Sequence, residues 1–401
     1  MRAIDDYIRV GTEYFKEIQQ PLISEDTIKV YQKWNKATIT DDFGREVLKD
    51  IKKYEGFCTI PSHVAFKNEI NGFLNRYEQL SYDFSQKGTF ENIELFLRHI
   101  FQEHYDLALD YLTILWKHPT QILPILCLVS TERNTGKSTF LKLLKTLFEG
   151  NMTINKNEDF RSRFNSDWAS KLIIAVDEVL LDKREDSERI KNLSTSGHFK
   201  SESKGIDKSE IEFFGKFILC SNNEDNFIKT DKDEIRYWVI KVEPFKTENP
   251  QLLDVMRTGI PFFANYLTQR DIVTKKTTRM WFTKEQIKTE ALLKLIGGNR
   301  SSTEREIEDF LVDQFQTLEV DTLYYSATDL MEELNKLNNR VQKSYVAKIL
   351  KDHFKLESTN SSYTLNKLDL SSGIGGKWKV YQEPRKGRFY TFKREDFLKN
   401  C

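Results

Sequence analysis

The residues with the clearest chemistry lie at Gly136-Lys137-Ser138-Thr139, where a polar loop joins an apolar run (residues 122–130) to an amphipathic stretch opening at Phe140. The pattern predicts strand, loop and helix, the layout of a nucleoside-triphosphate phosphate-binding loop. Backbone N–H groups at a helix start can cradle phosphates, Lys137 can reach the β- and γ-phosphates, and the Ser138 hydroxyl can hold Mg²⁺. Thr131, Asn134, Thr135 and Thr139 complete the nucleotide-contacting set. One departure is plain: the usual pattern has a glycine five residues before the Gly-Lys pair, and this chain has Thr131.

Two further apolar runs end in polar residues suited to the same chemistry. Lys171-Leu-Ile-Ile-Ala-Val-Asp177-Glu178 reads as a buried strand closed by two carboxylates. Strand ends of this kind lie at the sheet edge where α/β proteins bind ligands. There Asp177 would complete the Mg²⁺ shell and Glu178 would polarise the attacking water. The bland alternative is a strand that merely ends at two solvated acids. Gly215-Lys-Phe-Ile-Leu-Cys-Ser221-Asn222-Asn223 is a third such run. Asn222, or after it Asn223, would contact the γ-phosphate or orient the water. The alternative is an Asn pair that caps a strand and opens a turn. The next strand opens at Arg236, a candidate to stabilise the charge of phosphoryl transfer in a neighbouring subunit. A surface arginine is the alternative reading there.

The order of these motifs resembles the superfamily 3 helicases, in particular those of phage and plasmid primase-helicase proteins. It is carried by Thr131-Glu-Arg-Asn-Thr-Gly136-Lys137-Ser138-Thr139, Ile174-Ala-Val-Asp177-Glu178, Leu219-Cys-Ser-Asn222-Asn223 and Glu234-Ile-Arg236-Tyr-Trp. The intervening Asn157-Glu-Asp-Phe160-Arg-Ser-Arg-Phe164-Asn-Ser-Asp-Trp168-Ala is also family-like. The resemblance spans at least residues 119–245. It implies a hexameric ring that hydrolyses ATP with Mg²⁺ between subunits and moves along single-stranded DNA, usually 3′ to 5′. It also implies a hairpin whose tip enters the ring's pore. Here that stretch is residues 199–213, with Lys204 and Lys208 as the candidate DNA contacts beside Gly205. Glu202, Asp207 and Glu210 leave a solvated charged turn as the alternative.

Composition sets outer limits. Lys and Arg balance Asp and Glu, 61 against 61, so nucleic-acid binding must rest on local patches or on a pore that concentrates charge. The four cysteines lack C-x-x-C spacing, and Cys127 and Cys220 lie in apolar runs. They read as core residues in a reducing cytoplasm, not as disulfides or zinc ligands. The first residues lack the apolar core of a secretory leader, and no apolar run approaches the roughly 20 residues that cross a membrane. The expected location is the cytoplasm of a bacterial host.

The positioning elements follow from periodicity. Residues 1–88 form an N-terminal accessory region of short β-like runs and polar helical segments, with irregular connectors at 56–60 and 61–66. Residues 89–300 form the ATPase domain: a helical lead-in at 89–118, a core at 119–245 and a helical tail at 246–300. In the lead-in, Phe90, Ile93, Phe96, Leu97, Ile100 and Phe101 share one face and predict a helix over 89–117. The tail holds a helix over 285–296 and ends at Gly297-Gly298-Asn299, read as a linker. Residues 301–401 form a winged-helix-like domain, with helices over 304–318, 326–337 and 341–354 and short strands at 364–365, 378–381 and 387–392. From Lys377 to Arg394 there are seven Lys or Arg against one Glu, interleaved with Trp378, Tyr381, Phe389, Tyr390 and Phe392. Phosphate contact with base stacking suits that mixture. The alternatives are a core with a solvated rim, or a protein-docking module.

The expected fold is therefore α/β, a P-loop ATPase core of AAA+ type with a parallel sheet, flanked by an α+β or helical N-terminal region and a winged-helix C-terminal domain. The expected function is an ATP-dependent replicative DNA helicase of a phage, plasmid or mobile element. Its partners would be single-stranded or forked DNA, other copies of the chain, and a primase or initiator. The rival readings are another ATPase on the same core, or a DNA-binding initiator or loader.

Overall fold

The computed structural model describes the chain except residues 1–3, 22–26, 157–167, 169, 182–183, 196–197, 204–205, 231–233, 235, 300–301, 337–340, 370–378 and 399–401. It divides into two compact units, Met1–Gly298 and Asn299–Cys401.

The first unit is organised around a five-stranded sheet in which every pairing is parallel. Across the sheet the strands run Tyr237–Lys241, Ile125–Val129, Lys216–Ser221, Ile173–Val176 and Met152–Asn155. Numbered along the chain, that order is fifth, first, fourth, third, second. The strands at 125–129 and 173–176 are buried throughout, as continuous apolar runs covered on both faces must be. One face packs on Glu91–Phe101, Tyr105–Lys117, Lys137–Phe148, Leu252–Arg257 and Ile260–Gln269. The other face receives Ile190 and Leu193 of Arg184–Thr195, and Leu292 and Leu295 of Glu290–Gly298.

Two expected helices are each divided. The lead-in breaks into Glu91–Phe101 and Tyr105–Lys117 because Gln102 adopts φ +47°. A left-handed residue cannot propagate a right-handed helix. The tail helix breaks into Lys284–Ile287, which opens on a Thr283–Gln286 capping box, and Glu290–Gly298. Thr289 stands between them and donates its hydroxyl to the Val239 carbonyl, tying the second helix to the edge strand of the sheet. Gly297 and Gly298 end that helix and do not form a free linker.

The N-terminal region is mainly β. Thr27–Trp34, Glu13–Pro21, Tyr7–Val10 and Lys52–Tyr54 form one sheet, and Gly56–Cys58, expected as a connector, pairs with Phe73–Asn75. Residues 61–66 belong to no element, as expected. The segment that follows lies along the lead-in helices. His63 stacks on Trp116 at 4.5 Å and accepts a 2.7 Å hydrogen bond from the Tyr77 hydroxyl. Asn151 clasps both the amide and the carbonyl of Glu78, and Ser81 donates to Glu149.

In the second unit, Ser302–Leu318, Ala327–Lys336 and Lys343–Asp352 are helices. A three-stranded antiparallel sheet runs Thr322–Tyr325, Lys379–Lys393, Thr359–Asp369. The strand at 322–325 was not foreseen, and the short strands expected near the C-terminus are two long ones paired from Thr359–Phe389 to Asp369–Lys379.

Candidate nucleotide site

Parallel strands deliver their carboxyl ends to one edge. The Ser130 amide donates to the Ser221 carbonyl at 3.2 Å, and the Val179 amide donates to the Cys220 carbonyl at 2.7 Å. The loop after strand 125–129, the Asp177-Glu178 turn and the Asn222-Asn223 turn therefore converge there. The strand at 125–129 is central in this crevice. From it the chain runs to one side of the sheet and finally crosses to strand 237–241 on the other, a topological switch point of the kind that binds ligands.

The loop has the shape that an anion needs. Gly136 is left-handed (φ +92°) and precedes helix Lys137–Phe148, whose N-terminus has no side-chain cap. Uncapped N–H groups and the helix dipole favour negative charge there. Asn134 is also left-handed (φ +54°), whereas Thr131 is not among the positive-φ residues. The position that lacks the usual glycine thus makes no demand for one. Lys137 is buried, with Nζ 3.1 Å from Thr135 Oγ1 and 3.4 Å from the Ser130 carbonyl. Burial lowers its pKa, and the charges of Cys220, Asp177 and Glu224 act in the opposite sense. Ser138 is exposed, Asp177 half-buried and Glu178 exposed. Glu178 is held at φ +55°, with its amide on Asp177 Oδ1 at 3.1 Å. Strained backbone of this kind persists where the surroundings enforce it.

The two asparagines separate. Asn223 folds its own loop, taking the Asp225 and Asn226 amides on Oδ1 and donating to Asn226 Oδ1. Asn222 is exposed at the strand end. Arg236 lies at the opposite edge of the sheet, where its carbonyl accepts from the Ile125 amide. A five-residue strand separates it from the 131–136 loop, about 17 Å. Its guanidinium is 3.6 Å from the buried Glu234, and 34% of the side chain is accessible.

Sequence reasoning missed the residues that hold the loop in place. Glu224, buried, accepts the Thr131 amide on Oε1 (3.2 Å) and Lys294 Nζ on Oε2 (2.7 Å). Burial raises the Glu224 pKa, but the bonds from Lys294 and Thr131 outweigh it and leave the carboxyl below its ordinary value. His99 donates from Nε2 to the Thr135 carbonyl (3.0 Å) and stacks on Phe245 at 4.1 Å. The Phe245 amide donates to the Asn134 carbonyl (2.9 Å).

The antiparallel pair His198–Ser203 and Ile206–Glu212 forms the expected hairpin, with Lys208 on its second strand and Lys204 outside the described residues. In the second unit, Phe389, Tyr390 and Phe392 are buried core and Tyr381 is exposed. Of the aromatics expected to stack on bases there, those three are therefore spent on packing, and Trp378 lies outside the described residues. Arg385 is engaged by Asp329 at 2.5 Å and by Glu383 at 3.1 Å, while Lys386 and Arg388 are exposed. Among the described residues, no group of three or more His, Cys, Asp or Glu is placed to hold a metal, and no helix is long and apolar enough to cross a membrane.

A family of unknown function, DUF5906, matches residues 128–236, which contain the 131–139 loop, Asp177-Glu178, Asn222-Asn223 and Arg236. No curated protein matches. Among solved structures, the apo C-terminal region of NrS-1 (305–718) superposes with a TM-score of 0.63 at 17% identity, covering 93% of this chain and 94% of that one. The A form of the same region gives 0.63 at 16% identity, covering 96% and 95%. The likeness is one of fold, and it runs nearly end to end through both units.

Proposed function

We propose that this chain is an ATP-driven DNA helicase acting in the replication of a phage, plasmid or mobile element. The observation that carries the reading is the convergence, on one carboxyl edge of a parallel sheet, of an uncapped helix N-terminus led by left-handed Gly136, the buried Lys137, the Asp177-Glu178 pair and the exposed Asn222. The end-to-end likeness in fold to the NrS-1 region supports the same reading. So does a strand order that puts the loop at a topological switch point of the parallel sheet.

The residues present fit ATP and Mg²⁺. Lys137 and the N–H groups of the helix start hold phosphate, the Ser138 hydroxyl and Asp177 are the oxygen donors for the cation, and Thr131, Asn134, Thr135 and Thr139 shape the cradle. When bound, Mg²⁺ supplies charge neutralisation across the phosphates. Glu178 orients and polarises the attacking water, and Asn222 contacts the γ-phosphate. Because Arg236 is about a strand's length from its own loop, it serves a neighbour's site, in keeping with a ring. The hairpin at 198–212, with Lys204 and Lys208, is assigned to DNA in the pore. The helix–strand–helix–helix–hairpin unit is read as a winged helix that grips DNA through exposed Lys386 and Arg388.

The deciding experiment measures strand separation on forked DNA beside ATP turnover. Unwinding that requires ATP and fails in Lys137→Ala is expected. Turnover without unwinding would recast the chain as another kind of motor, and DNA binding without turnover as an initiator.

A further inference from the structure

A carboxylate is an unfavourable neighbour for a triphosphate, yet Glu224 sits at the entrance of the phosphate loop with its side chain 5% exposed. Its two oxygens do different work. Oε1 holds the amide of Thr131, the first residue of the loop, and Oε2 takes Lys294 Nζ at 2.7 Å. Lys294 also lies 3.4 Å from Asp225. The helix that carries it is seated closely: a Cβ on Gly298 would lie 2.1 Å from the Asp225 carbonyl, so this end of the helix tolerates only glycine. Thr289 fixes the other end to the sheet. The ammonium is thus presented by a helix braced at both ends.

We propose that Lys294 is a positioning residue that neutralises Glu224, so that Glu224 can fix the entrance of the phosphate loop without repelling the nucleotide. Lys294 acts through Glu224 and does not touch the phosphates. This rests on the nucleotide-binding reading of the loop. The arrangement also explains how a loop opening with threonine is shaped: a side-chain acceptor just after Asn222-Asn223 holds its first amide in place.

Charge makes the proposal separable from a structural role. With Lys294 gone, a nearly buried carboxylate beside the loop loses its ion-pair partner and keeps only the weaker influence of Lys241 and Lys137, and its repulsion grows with the ligand's charge. Lys294→Met is expected to weaken ATP binding about ten-fold. ADP should be affected less and AMP least. Adding Glu224→Gln should restore affinity to near wild type, because the amide oxygen still accepts from Thr131 and carries no charge. Lys294→Arg should bind as wild type.

The measurement is nucleotide titration of full-length protein for the wild type, these variants and Lys137→Ala. Undiminished affinity in Lys294→Met would overturn the proposal. So would failure of the double variant to recover, since Lys294 would then be bonding nucleotide directly or holding the fold. Wild-type protein that binds no nucleotide would instead sink the reading of the loop itself.

Discussion

Replacing Gly136 by alanine tests whether the phosphate loop owes its shape to one left-handed residue. At φ +92° an alanine meets the steric penalty of the left-handed region, about 1–2 kcal/mol. Its Cβ would also sit 3.0 Å from the Phe245 ring and 3.1 Å from Phe96, and both rings are held: Phe245 by the His99 stack, Phe96 in the core. Displacing them adds about 1–2 kcal/mol, as overpacking does. The combined penalty of about 2–4 kcal/mol falls on the loop's bound geometry and corresponds to roughly 30- to 1,000-fold weaker ATP binding. Thr131→Gly is the control at the position where the usual pattern has glycine. Thr131 is not left-handed, so the change brings only added freedom, about 0.5–1 kcal/mol, and ATP affinity should stay within about five-fold. Titration with a fluorescent ATP analogue, beside thermal denaturation to verify folding, decides it. Wild-type affinity in Gly136→Ala, or a ten-fold gain in Thr131→Gly, would refute the reasoning.

Three further predictions concern catalysis, assembly and stability. Glu178→Gln should retain ATP binding while turnover falls at least about 100-fold, the span typical of a general base; equal loss of binding would make Glu178 a metal or structural group. Mixing Arg236→Ala with Lys137→Ala subunits should recover part of the lost turnover, because some interfaces regain both groups, and no recovery in demonstrably mixed assemblies would remove the trans role. His63 is buried, donating from Nδ1 to the Trp116 carbonyl and accepting the Tyr77 hydroxyl on Nε2, and burial lowers its pKa to about 4 from 6.5. The unfolded chain takes up this proton near pH 6.5 and the folded chain only near pH 4. Stability is therefore whole above pH 6.5 and falls as pH drops toward 4, by about 3 kcal/mol in all. Denaturant midpoints of His63→Phe should lack that part of the pH slope, and an unaltered slope would show that His63 is not its source.

Four of the five core strands were legible because they are buried on both faces and leave unbroken apolar runs that stop at polar residues, whereas the edge strand Met152–Asn155, with Ile154 exposed, leaves no such run. Ile173–Val176 followed by Asp177-Glu178 shows this most clearly. Helix breaks were not legible. Gln102 lies in a periodic run, and nothing in its residue type announces a left-handed backbone set by packing. Thr289 likewise acts through a carbonyl 50 residues away. In the second unit, Phe389, Tyr390 and Phe392 could be read either as stacking platforms or as core, and only the fold placed them inside. The strand at Thr322–Tyr325 has just four residues, too few to declare a period. Glu224 and Lys294 escaped notice because ion pairing between distant segments leaves no local spacing to read.

The attachment of residues 60–85 bears on how the chain can be dissected. Composition invites a cut near residue 88, but Tyr77 is 1% exposed within the same core as Trp116 and the phosphate-loop helix. Phe84 packs edge-on against Trp116 at 5.3 Å, and the Asn265 side-chain amide caps the Phe84 carbonyl. A fragment beginning at residue 89 would bare Trp116 and leave Asn151 without Glu78, so it should be recovered aggregated. One beginning near residue 59 removes the four-stranded sheet and the Gly56–Cys58 strand that pairs with Phe73–Asn75, but keeps this strap on its core. Limited proteolysis should accordingly nick the chain before the strap and spare it, making the strap, in practical terms, the first piece of the unit built on the parallel sheet and not the last piece of what precedes it.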